Sequence, residues 1–71
     1  MSDSLHQYQL FFEEIQSVLK NTHLQVLVGL VQSARDDNLY MLRAYGEIQQ
    51  ALTELRGKCD THIHVIRQQY Q

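Results

Sequence analysis

The chain is expected to be all-α, an antiparallel hairpin of two long helices, and three observations lead there. No proline occurs in 71 residues, so nothing removes a backbone donor from a helix interior. Apolar residues recur at alternating spacings of three and four in both halves, which stacks side chains along one helical face. One polar stretch, Arg35-Asp36-Asp37-Asn38, separates the two periodic runs.

The first run is Leu5, Tyr8, Phe12, Ile15, Leu19, Thr22 and Val26. Ser4 and Gln7 have the spacing of a capping box at its start. After the turn, Met41, Tyr45, Ile48, Leu52, Leu55, Cys59, His62 and Ile66 keep the same rhythm, and Asp37 or Asn38 is the expected N-cap. Asp36 and Asp37 also suit the positive end of that helix. Arg43, Glu47, Gln50 and Glu54 form a solvated face, with Glu54 and Lys58 placed for an i,i+4 pair. So short a connection makes the helices antiparallel neighbours, packed by matching seams. A three-helix arrangement stays open, because Thr22 and Gln25 repeat the capping-box spacing and would break the first helix near Asn21.

The segment from Leu24 to Val31 holds six aliphatics in eight residues. A helix apolar on nearly every side asks to be buried from more than one direction, and a single domain of residues 1–71 has little with which to do so. Leu10, Leu24, Val28 and Val31 point away from the seam, with Leu27 on the flank. The second helix shows only Leu39 and Val65 off its seam, so the first helix is two-faced and the second mostly one-faced. Leu24, Leu27, Val28 and Val31 are therefore the candidate docking stripe for a protein partner. Homodimerisation through the same stripe, or internal burial after a break at Asn21, would use it differently. Phe11 at the seam's edge and Tyr40 just after the turn are candidates for partner contact as well as for local packing. Tyr8, Phe12 and Tyr45 belong to the seams.

Composition narrows the function. Six basic residues against eight acidic ones give a net charge of -2, and the bases are scattered, which argues against binding nucleic acid. One cysteine makes no internal disulfide, and a lone thiol suits a reducing compartment. The N-terminus has no signal-peptide pattern, and the 24–31 run is far shorter than a bilayer span. A cytoplasmic protein without membrane insertion is expected. No cofactor motif is present. His62 and His64, two apart, cannot share a ligand on one helical face, and Cys59 with His62 is too few for a structural zinc site. His62 is expected to line the seam, His64 to be wet and Cys59 to be a small buried hydrophobe. Adjacent acids at Glu13-Glu14 and Asp36-Asp37 do not form a paired-carboxylate site. No catalytic residue and no metal ligand stands out, so the expectation is an interaction module, not an enzyme.

The turn with its tyrosine, Arg35-Asp36-Asp37-Asn38-Leu39-Tyr40, is one of three stretches that carry a resemblance. The others are Glu47-Ile48-Gln49-Gln50-Ala51 and Ile63-His64-Val65-Ile66-Arg67-Gln68-Gln69-Tyr70. Set on a short acidic chain of two seamed helices, they resemble the small co-chaperones of needle subunits in bacterial type III secretion. The resemblance implies a cytoplasmic protein that pairs with a helical-repeat co-chaperone. Together the two would hold the needle subunit soluble and unpolymerised before export.

Overall fold

The computed structural model describes residues 2–69, with side chains from Ser4 onward; Met1, Tyr70 and Gln71, including the last residue of the resemblance, lie outside it. Two helices, α1 (Ser2–Arg35) and α2 (Leu39–Gln69), pack against each other as an antiparallel hairpin. The hairpin measures 53 × 15 × 12 Å.

α1 is continuous through Asn21, so the three-helix arrangement is not adopted. Thr22 does not cap a new helix; its hydroxyl donates to the Val18 carbonyl, 2.9 Å away, one turn back. That bond satisfies the side chain without interrupting the helix. The expected cap at Ser4 is also absent, because α1 already runs from Ser2 and leaves Ser4 and Gln7 inside its first turns.

The turn is a Schellman motif. The Asn38 amide donates to the Ser33 carbonyl at 2.9 Å and the Asp37 amide to the Ala34 carbonyl at 3.2 Å. Asp37 takes the left-handed conformation, with φ 54°. Asn38 then caps α2: its Oδ1 accepts from the Met41 amide at 3.1 Å, and its carbonyl accepts the first α2 bond from Leu42 at 2.9 Å. The Asp36 carboxylate accepts from Gln32 at 3.0 Å, one turn back on α1.

The core is narrow. Val26, Leu52, Cys59, Ile63 and Ile66 are its buried apolar members, Ser33 is the buried polar one, and none of these is wholly excluded from solvent. Half-buried Leu5, Gln9, Phe12, Gln16, Leu19, His23 and Leu30 complete the α1 seam, with Leu42, Tyr45, Gln49 and Arg56 on α2. Both sets keep the alternation of three and four that suits left-handed coiled-coil packing.

This seam corrects the expected one at every second position. Leu5, Phe12, Leu19, Val26, Tyr45, Leu52, Cys59 and Ile66 are shared. In place of Tyr8, Ile15 and Thr22 the helix presents Gln9, Gln16 and His23; in place of Met41, Ile48, Leu55 and His62 it presents Leu42, Gln49, Arg56 and Ile63. Each helix is rotated by part of a residue step, so both apolar stripes lean to one side of the pair. Tyr8 is accordingly exposed, and so are Ile15, Ile48 and Leu55. α2 is therefore not one-faced.

Across the helices, the Phe12 and His62 rings stack at 5.4 Å, which takes His62 out of the seam and leaves it exposed. Glu13 meets Arg67 at 3.4 Å and Gln16 donates to Asp60. Glu54 and Lys58 do not form their expected pair, whereas Glu13 and Arg67 do pair across the helices.

Candidate functional site

Leu24, Leu27, Val28 and Val31 span two turns of α1, and at about 100° per residue they fall within one arc of its surface. Val26, Leu30 and Ser33 in the same stretch turn the other way, toward α2. The stripe is left uncovered: Val28 is 65 % exposed, and Leu24 and Val31 are each more than half exposed. Its four side chains line one shallow groove, bordered at the turn end by Gln32 and Arg35.

Phe11 and Tyr40, the other candidate contacts, do not join this groove. Phe11 lies toward the open end of the hairpin, edge-on to Tyr8 with ring centroids 6.4 Å apart. It shares a second, mainly apolar groove with Ile15 and Val18, beside Glu14. Tyr40 stands in the first turn of α2 and is 80 % exposed.

Sequence reasoning missed part of this surface. Ile15, Ile48 and Leu55 match the seam in spacing and are expected in the core, and Val18 falls outside that spacing. All four are exposed. One signal was available: Phe11 and Val18 are seven apart, two turns up one line of α1.

The polar groups hold one another. Lys20, Arg56 and Ser17 line a recess along the side where Gln16 meets Asp60 and Glu13 meets Arg67. Cys59 is buried and forms no disulfide. His64 is exposed and within 3.2 Å of Gln68, one turn on. Among the described residues no three His, Cys, Asp or Glu side chains gather as a metal site, and no helix is long and apolar enough to cross a membrane. No protein-family model, no curated protein and no solved structure matches this chain.

Proposed function

We propose that the hairpin is a non-catalytic protein-interaction module whose α1 stripe is completed by the helix or groove of a second protein. One observation carries the reading. Leu24, Leu27, Val28 and Val31 remain exposed side by side although both helices are formed and packed. A stripe confined to one helix suits a single complementary groove, the mode in which an amphipathic helix is read through residues three and four apart.

The more specific form of the proposal is a cytoplasmic co-chaperone. The partner would be a helical-repeat protein, and the pair would keep a type III secretion needle subunit soluble before export. It rests on the resemblance of the turn and of α2, and the uncovered stripe is what such a partner would need. Binding would stabilise the hairpin by mass action.

The test is co-expression with a helical-repeat co-chaperone and a needle subunit, comparing the wild-type chain with Val28→Asp. Val28 contributes little to the hairpin's own core, so the variant should keep its helicity. It should lose the complex, because an unpaired carboxylate in a desolvated apolar contact costs several kcal/mol. A complex that forms equally well with Val28→Asp would overturn the stripe as the contact.

A further inference from the structure

A second apolar surface, distinct from the α1 stripe, runs the length of the hairpin and draws on both helices. Its position follows from the contacts between them. Glu13 meets Arg67 and Gln16 meets Asp60 along one side of the interface. Ile15 lies two residues from Glu13, about 200° around α1, and His62 lies two residues from Asp60 on α2. Both therefore turn to the opposite side, where His62 stacks on Phe12.

Phe11 and Val18 flank Ile15 on α1, while Met41, Ile48 and Leu55 precede His62 at intervals of seven on α2. All of these apolar side chains are between 37 % and 58 % exposed. One side of the hairpin is thus polar and internally bonded toward its open end. The other carries an apolar path that passes from Phe11, Ile15 and Val18 on α1 near the open end to Leu55, Ile48 and Met41 on α2 toward the turn, where α1 beside it is polar at Thr22, Gln25 and Gln32.

The orientation identifies the occupant. In an isolated pair of helices, each apolar stripe would face the neighbouring helix. In a four-helix bundle each helix touches two neighbours, so its stripe faces between them. Both stripes here are rotated to the same side, and Gln9, Gln16, Gln49 and Arg56 take seam positions that Tyr8, Ile15, Ile48 and Leu55, one residue away, could have filled. What fits that arrangement is a pair of helices, not a single one.

The area points the same way. The side is 53 Å long and 15 Å wide, an outline large enough to hold the roughly 800 Å² that each partner contributes to a standard stable interface. We infer that a second copy of this chain packs on the Ile15–Ile48–Leu55 side, making a dimeric four-helix bundle that leaves the Leu24–Val31 stripe free.

The experiment is the solution mass of the purified chain by sedimentation equilibrium, from low micromolar to near-millimolar, for wild type, Ile48→Glu and Val28→Asp, with helicity followed by circular dichroism. The expected result is a wild-type mass of twice the 8.4 kDa chain. Ile48→Glu should raise the dimer dissociation constant by about a hundredfold or more, and Val28→Asp should leave it unchanged. Should Ile48→Glu unfold, Val18→Glu replaces it as the test, since Val18 is 58 % exposed in the lone hairpin: it should weaken the dimer with helicity kept, and a dimer unchanged by it overturns the inference. A wild-type monomer at every concentration overturns the inference. So does an oligomer larger than two, a dimer that survives Ile48→Glu, or a dimer abolished by Val28→Asp. Loss of the heteromeric complex alone, with the dimer intact, bears only on the α1 stripe.

Discussion

The Tyr45 ring occupies the space that a β-carbon at Gly29 would need. An added β-carbon would lie 2.5 Å from two of its ring carbons, well inside van der Waals contact. Gly29 is therefore set by close approach: its φ is not positive and it sits inside α1. Alanine there gains about 1 kcal/mol of helix propensity. It also pushes a half-buried ring out of the seam, which typically costs about 1–3 kcal/mol. Gly29→Ala is expected to lower Tm in the wild-type background and to raise it when Tyr45 is already alanine. That reversal of sign, read by thermal melts of the four species, measures the contact; Gly29→Ala stabilising both backgrounds would show that the ring moves freely.

Gly46 and Gly57 give the contrasting case. Nothing lies within 4 Å of a β-carbon built at either position, and neither has positive φ. Gly57→Ala is expected to stabilise by about 0.8–1 kcal/mol through propensity alone, raising Tm by about 4–8 °C per kcal/mol for a domain this small. A drop in Tm on Gly57→Ala would mean that this face of α2 is covered in solution.

The architecture was legible in the sequence because helix period, turn polarity and the absence of proline all point to one answer. The rotation of the helices was not. Residues 8 and 9, 15 and 16, 48 and 49 and 55 and 56 each offer an apolar and a polar neighbour one step apart, and both choices keep the spacing of three and four. Hydrophobicity favours the apolar frame, whereas the packed pair takes the polar one. The packed frame carries non-local contacts that spacing along the chain does not show: the Tyr45 ring lies against Gly29, Glu13 meets Arg67 and Gln16 donates to Asp60. The Leu24–Val31 stripe was legible because six aliphatics in eight residues cannot all face one neighbour.

The turn carries its own test. Asp37 holds a left-handed conformation that a side chain with a β-carbon resists and glycine accepts freely. Asp37→Gly is expected to stabilise the hairpin, and Asn38→Ala to destabilise it by about 1 kcal/mol by removing the bond from the Met41 amide. Chemical denaturation of both variants checks the pair. If Asp37→Gly instead lowers the midpoint, the added freedom of the unfolded chain outweighs the relief of the turn.

His23 is the seam residue with the clearest defect. It is half-buried, and its Nδ1 is shielded from solvent without a hydrogen-bond partner among the described residues. The register set by Phe12 with His62 and Gly29 with Tyr45 places it level with Leu52, a buried leucine. An orphaned polar atom costs about 1–3 kcal/mol, and replacing it by an apolar group removes that cost. His23→Leu should therefore raise the denaturation midpoint, while Leu52→Ala, which empties part of the same layer, should cost about 2–5 kcal/mol. The two effects are expected not to add, because the substituted side chains share a layer. A His23→Leu variant less stable than wild type would show that Nδ1 is satisfied in solution by water or by the packing of a second chain.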